Sequence, residues 1–170
     1  MHKPRVQIVN ESDQLIGHKL RADIDYTHDI YRTASLWLEN GDGGILIAQR
    51  KVVKDKHKDP GLWGPAVSGT LEEDETYESN IIKEAAEEIG LTNISPIFVT
   101  TFLQLTPRRQ FASIFVYTTD LPLSAFVIQE DEVEQIQWIA KASLLQDFQD
   151  NPTAYVPSMS KFIEYFIDAR

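Results

Sequence analysis

The chain has 170 residues, of which 42% are hydrophobic, an ordinary content for a globular protein that buries one core. With 26 acidic and 16 basic residues the net charge is −10, which argues against binding to duplex nucleic acid or an anionic membrane. The absence of cysteine excludes disulfide bonds, thiolate metal sites and a cysteine nucleophile. No signal peptide and no apolar run of roughly 18 residues is visible, so we expect a cytoplasmic protein.

The first half of the chain is predicted to form short strands, because alternating apolar residues are separated by turns rich in Asn, Gly and Pro. The first two strands would form a hairpin extension within residues 1–30. Residues 60–65 are predicted to be a rigid turn in which Trp63 belongs to the core. The predicted strands are residues 6–9, 15–17, 33–38, 45–49 and 66–68.

One amphipathic helix is predicted after this turn. Thr76 is a suitable N-cap, and Gly90 suits the left-handed residue that ends a helix. At about 100° per residue, one face of the helix is apolar. Its members are Ile81, Ile82, Ala85 and Ile89.

The second half of the chain alternates strands and helices. Strands are predicted at residues 96–103, 112–118 and 136–139, and helices at residues 141–148 and 158–169. Strands interleaved with helices indicate an α/β fold with α/β/α layers around a mixed sheet.

The face of the helix next to the apolar one carries Glu84, Glu87 and Glu88. Residues three and four apart stack along a helix, so these like charges repel one another. A hard divalent cation with oxygen ligands would offset the repulsion. We therefore take these three carboxylates as candidate ligands of Mg²⁺ or Mn²⁺.

The segment 69–91 resembles the Nudix box, Gly-x5-Glu-x7-Arg-Glu-(apolar)-x-Glu-Glu-x-Gly-(apolar). Two positions differ from the pattern, since Lys83 replaces the usual Arg and the small Ala85 replaces a larger aliphatic residue. Lys keeps the positive charge but lacks the planar fork of Arg. The residues that match are Gly69, Glu75, Lys83, Glu84, Glu87, Glu88, Gly90 and Leu91.

The resemblance implies a single Nudix domain over residues 1–170, with a Nudix-type α/β/α sandwich. It implies a metal-dependent hydrolase that cleaves the diphosphate bond of a nucleoside diphosphate derivative or a similar small molecule. By the same resemblance, the backbone carbonyl of Ser68 is a further metal ligand and Glu75 supports the site. Nothing in the sequence selects an oligomeric state, although a homodimer is the commonest oligomer.

Two groups of residues outside the box are candidates for binding and catalysis. Arg50, Arg108 and Arg109 could hold phosphate oxygens. Because the box glutamates are largely committed to metal, Glu130 or Glu132 could be the base that activates water, with Glu132 preferred. If neither serves, a box residue such as Glu75 or Glu87 must do so.

Residues 30–140 also resemble isopentenyl-diphosphate isomerases and their hydrolase-like relatives. The isomerase reaction needs a cysteine and histidine metal ligands, but the corresponding positions hold Ser68, Tyr31 and Thr70. A hydroxyl is a poor substitute for a thiol in acid–base chemistry. Isomerase activity and a catalytically silent binding module are therefore the alternatives to hydrolysis.

Overall fold

The computed structural model describes residues 3–53 and 59–168, which contain nine strands and three α-helices. The strands are β1 (Arg5–Val9), β2 (Leu15–Leu20), β3 (Ile30–Glu39), β4 (Gly44–Arg50), β5 (Trp63–Pro65), β6 (Val67–Thr70), β7 (Ile97–Gln104), β8 (Gln110–Thr118) and β9 (Val133–Ala140). The helices are α1 (Tyr77–Ile89), α2 (Lys141–Asp150) and α3 (Met159–Phe166).

The predicted strands and helices are found with shifted bounds and with one addition. The last helix, predicted over residues 158–169, ends at Phe166, and residue 169 lies outside the described residues. Residues 63–65, which the sequence predicts as part of a turn, form strand β5 and pair with β4 through Gln49 and Trp63. A three-residue strand containing Gly and Pro has too little pattern to be recognised before its partner is known. Trp63 packs at the edge of an apolar cluster, as expected for a core residue.

Strand β3 is the centre of a mixed sheet. It runs parallel to β8 along residues 31–39. Along its other edge it pairs antiparallel with β1, then β6, then β4. This arrangement brings β6, which leads into the box, directly beside β3.

Alternate residues of β3 divide the core into two layers. Leu36 and Leu38 pack with the buried residues of α1 on one face of the sheet. Trp37 points to the opposite face, where its ring stacks on Phe162 and Phe166 of α3 at centroid distances of 5.5 and 5.0 Å. The sheet therefore lies between α1 and the pair α2 and α3, which confirms the α/β/α sandwich.

Helix α1 begins and ends as predicted. The Thr76 hydroxyl accepts a hydrogen bond from the Ser79 amide, and the Ser79 hydroxyl accepts one from the Thr76 amide. Gly90 is left-handed, with φ of 67°. The predicted apolar face is wrong at Ile82, which is 36% exposed, while the polar Asn80 is buried instead.

The N-terminal hairpin β1–β2 is attached to both β3 and α1. Arg32 of β3 donates to Asp13 Oδ1 at 2.7 Å and to Gln7 Oε1 at 2.9 Å. Tyr77, the first residue of α1, donates its hydroxyl to Asp13 Oδ2 at 2.9 Å. The Gln7 side-chain amide donates to the carbonyls of Glu72 and Glu75, so the hairpin also holds the loop that precedes α1.

Within residues 3–53 and 59–168, no helix is both long enough and apolar enough to cross a membrane.

Candidate active site

The described residues form an open cleft of about 900 Å³ on the face of the sheet beyond the cover of α3. Its floor continues the β3 face that carries Trp37, because Ser35, Thr33 and Tyr31 follow at every second position. Tyr31 is beside Gln110 of β8, and Gln110 is beside Gln104 of β7. The floor is polar where no helix covers it.

The acidic face of α1 reaches the cleft beside β6, while the apolar face of α1 packs on the other face of the sheet. Glu84, Glu87 and Glu88 all line it together with Ser68 of β6. Ser68 donates its amide to Glu88 Oε2 at 3.4 Å, and its hydroxyl lies 3.0 Å from the Ser35 hydroxyl. The structure thus brings all four predicted metal-ligand residues to one place.

The charges of these carboxylates disfavour one another. Burial raises the pKa of Glu84 to about 7, Lys83 opposes the shift, and Glu87 adds to it. Burial also raises the pKa of Glu88 well above its usual range. The charges of Glu84 and Glu132 raise it further, and the charge of Arg50 lowers it. A bound cation would reverse this penalty, because it favours the ionised carboxylates.

The candidate ligand atoms are of the type that binds a hard divalent cation. The three carboxylates and the Ser68 carbonyl are all oxygen donors, which Mg²⁺ and Mn²⁺ prefer. In the part of the chain that is described, no group of three or more Asp, Glu or His side chains is arranged so that it could hold a metal ion as it stands. The carboxylates line one open cleft instead. The suitability of the site for a divalent cation therefore rests on their shared location and on the repulsion between their charges.

Gly69 allows β6 to approach α1 closely. A Cβ atom at this position would overlap the Glu84 side chain and lie 2.7 Å from Asn80 Oδ1. Asn80 Oδ1 is itself buried, and no hydrogen-bond donor reaches it from the described residues. Glycine is therefore required at position 69, because a side chain there would collide with the helix that carries the carboxylates.

Lys83 forms an ion pair with Glu75, so the positive charge at this position still pairs with a box carboxylate. Glu75 also accepts hydrogen bonds from the Glu72 amide at 2.9 Å and from the Asn80 side chain at 2.8 Å. Burial alone would raise the pKa of Glu75, but these bonds and Lys83 hold it below its usual value. Glu75 is not among the cleft-lining residues, so it acts as an anchor behind the site.

Two of the three predicted phosphate-binding arginines reach the cleft. Arg50 and Arg108 line it together with Asp59. Arg109 does not line the cleft: its side chain donates to the His28 carbonyl at 2.9 Å and to Glu11 at 3.3 Å. In this geometry Arg109 is therefore not brought together with Arg50 and Arg108.

The two candidate bases, Glu130 and Glu132, lie in different environments. Glu132 lines the cleft, and its charge acts on Glu88, whereas Glu130 is exposed and outside. The loop that carries them is fixed to the end of α1, since the Gln129 amide donates to the Glu88 carbonyl at 2.9 Å. The preference for Glu132 over Glu130 therefore has a structural basis.

Several cleft residues were missed by the sequence reasoning. Asp59 lies in a basic stretch and pairs with Arg108, 49 positions away, which no local pattern predicts. Gln104 and Gln110 reach the floor only through the register of β7 and β8. The alternation of β3 was a usable signal, since it places Thr33 and Ser35 on one face.

Comparison with known proteins identifies the family and the fold. Residues 30–166 match the NUDIX domain family, so the chain belongs to the Nudix family. The comparisons also support its assignment as a Nudix hydrolase: a Nudix hydrolase of Deinococcus radiodurans is 25% identical over 142 residues, covering 83% of this chain and 81% of that protein. A crystal structure of a Deinococcus radiodurans protein superimposes with a TM-score of 0.82 at 22% identity, over 96% of this chain and 99% of that one, and shows the same fold.

Relatives with another activity are similar at the same level. An isopentenyl-diphosphate Delta-isomerase of Citrobacter koseri is 29% identical over 130 residues, covering 74% of this chain and 70% of that protein. The predicted likeness to both branches is therefore confirmed.

Proposed function

We propose that this protein is a metal-dependent hydrolase that cleaves the diphosphate bond of a small molecule such as a nucleoside diphosphate derivative. The observation that carries the proposal is the lining of one cleft by both acidic and basic side chains. Glutamates from α1 line it, and so do Arg50 and Arg108. A diphosphate would lie between a cation held by the glutamates and the two guanidinium groups.

Each group has a distinct task in this proposal. Glu84, Glu87, Glu88 and the Ser68 carbonyl would hold Mg²⁺ or Mn²⁺, which neutralises phosphate charge and lowers the pKa of bound water. Arg50 and Arg108 bind and orient the phosphate oxygens. Glu132 accepts the proton of the attacking water, because it is a cleft-lining carboxylate outside the proposed ligand set.

Isomerase activity is supported by the 29% identity to a named isomerase and opposed by the site residues. Ser68 stands at the position of the isomerase cysteine, and its hydroxyl lies 3.0 Å from that of Ser35. Tyr31, at a histidine position, is buried. We expect no interconversion of isopentenyl and dimethylallyl diphosphate, and product analysis showing it at a rate comparable with hydrolysis would overturn the proposal.

The test of reaction class is a phosphate-release screen. Nucleoside diphosphates, nucleotide sugars and non-nucleotide diphosphates are incubated with Mg²⁺ or Mn²⁺, and added phosphatase converts monoester products to inorganic phosphate. Release that requires both the protein and the metal supports the proposal. No release from any diphosphate compound would contradict it.

Variants on α1 connect the activity to the site. Glu87→Gln and Glu88→Gln should each remove most of the activity, because each neutralises one proposed metal ligand. The apolar face of the helix is untouched, so the fold should persist by circular dichroism. Glu78→Gln is the matched control, since Glu78 is on the same helix but outside the cleft. Near-normal turnover of either cleft variant at saturating Mg²⁺ would show that the metal assignment is wrong.

A further inference from the structure

Arg108 is held at the wall of the cleft by a two-point contact with Asp59. Its Nη2 lies 2.5 Å from Asp59 Oδ2, and its Nη1 lies 3.4 Å from Oδ1. Both side chains are largely buried, with exposed fractions of 20% for Arg108 and 13% for Asp59. A contact through two nitrogens at low exposure fixes the plane of the guanidinium group as well as its position.

The carboxylate of Asp59 needs an explanation, because it lies in a cleft proposed to bind anions. Arg50 lines the same cleft. Burial lowers the pKa of Arg50, the charges of Asp59 and Glu88 oppose that shift, and the charge of Arg108 adds to it. The two arginines thus repel each other, and Asp59 is the counter-charge that both experience. Without it, the repulsion would favour separation of the two guanidinium groups before any ligand arrives.

Other contacts agree that Arg108 is prearranged. Burial opposes its charge, yet Asp59 and a hydrogen bond with Tyr31 raise its pKa above the usual value. The Nε atom of Arg108 is buried, and the described residues offer it no hydrogen-bond acceptor. Arg108 therefore keeps this orientation although its Nε–H group is left without an acceptor among the described residues.

We propose that Asp59 is a positioning residue, which holds Arg108 beside Arg50 so that the two arginines receive a diphosphate together. This inference rests on the proposed function and deepens it. The diphosphate meets a prearranged pair of guanidinium groups and does not have to order them on binding. Asp59 acts through Arg108 and has no direct contact with the ligand.

The backbone at Asp59 decides which substitution tests this role. Asp59 has a φ of 56°, in the left-handed region that Asp and Asn tolerate better than most residues. Asp59→Asn therefore keeps the backbone and the side-chain shape while removing the charge. Asp59→Gly is the second variant, since Gly adopts this conformation without steric cost.

The measurement is binding of methylenediphosphonate, a diphosphate analogue that is not hydrolysed at its bridge, by calorimetry in the presence of Mg²⁺. Asp59→Asn should raise the Kd about tenfold or more, because the partner of a buried charge is lost. If Asp59 acts through Arg108, adding Asp59→Asn to Arg108→Gln should cause no further loss. Glu11→Gln is the matched control, since it removes the ion-pair partner of Arg109 outside the cleft.

The outcomes separate the two proposals. Unchanged or tighter binding by Asp59→Asn or Asp59→Gly would show that Asp59 is a competitor or a bystander, and would overturn the positioning role. Losses that add in the double variant would overturn it as well. If the wild-type protein itself neither binds the analogue nor hydrolyses any diphosphate in the screen, the proposed function fails, and this inference fails with it.

Discussion

Lys83 is the residue at which this chain departs most clearly from its family pattern. It meets Glu75 in an ion pair and lies 3.5 Å from Glu72 and 3.8 Å from Glu84. A single ammonium group therefore serves as a point charge among three carboxylates, where an arginine fork would bind two of them by directed bonds. Its role is to hold Glu75, which in turn caps the loop before α1.

This arrangement predicts the effect of replacing Lys83. Lys83→Ala should weaken Mn²⁺ binding by about tenfold to 100-fold, the usual cost of losing a group behind the metal ligands, whereas Lys83→Arg should be tolerated. Calorimetric titration with Mn²⁺ measures both. Lys161→Ala serves as the control, because Lys161 pairs with Glu164 on the exposed surface. Equal affinity in all variants would show that residue 83 does not organise the site.

The different positions of Glu130 and Glu132 give a second prediction, in which the variant at Glu130 is the control for the variant at Glu132. Glu132→Gln should lower kcat by at least about 100-fold with metal affinity preserved, as expected for loss of a general base. Glu130→Gln carries the same chemical change in the same loop and should leave kcat unaltered. Should both variants turn over normally, the base lies in the box, and Glu87 is then the cleft-lining candidate.

At the scale of elements, the N-terminal hairpin and the box behave as one assembly. Asp13 joins them, because it accepts from both Arg32 and Tyr77. Asp13→Asn should lower the free energy of unfolding by about 1–3 kcal/mol, since it weakens a charged contact and leaves donors poorly paired. The φ of 57° at Asp13 suits Asn as well, so backbone strain does not contribute.

Urea denaturation checks this prediction. Asp42→Asn is the control, because Asp42 is an exposed turn residue. Equal stability of the two variants would mean that the contacts of Asp13 do not contribute to the attachment of the hairpin.

The elements were predictable from sequence because their signals are local. The capping residues Thr76 and Gly90 mark α1 within one residue at each end, and alternation marks the strands. The apolar face failed at one position, since the side chain of Asn80 is directed inward to the Thr70 carbonyl and to Glu75. That contact depends on β6, which lies beside the helix only after folding.

The residues of the candidate site also differ in whether a local pattern could group them. The carboxylates of α1 share one helix and could be grouped from spacing alone. The basic part of the lining could not, because Arg108 is distant in sequence from Arg50 and Asp59, and only the fold brings it to them. Arg108 and Arg109 are adjacent in sequence, and no pattern says which of them faces the cleft.

For the whole molecule, the balance of charge links stability to metal. The protein carries a net charge of −10, and its cleft gathers glutamates whose pKa values are raised by burial. Mg²⁺ at about 100 times its Kd should add about 2.7 kcal/mol to the free energy of unfolding. Thermal unfolding should show this as a rise of several degrees in Tm.

Removal of the cleft charge should have the opposite pattern. Glu88→Gln should leave the metal-free protein at least as stable as the wild type, because a buried charge is gone, and it should greatly reduce the Mg²⁺-dependent rise in Tm. A variant that is stabilised by Mg²⁺ as strongly as the wild type would show that the ion binds elsewhere.

The alternation along β3 has a consequence for how such a protein can diversify. Trp37 belongs to the core beneath α3, whereas Ser35 and Thr33, two and four positions earlier on the same face, belong to the open floor. The residues between them, such as Leu36, pack against α1. Substitutions at Ser35 and Thr33 should therefore reshape the floor without disturbing the packing of Trp37 or Leu36, so that the substrate can change while the scaffold is kept.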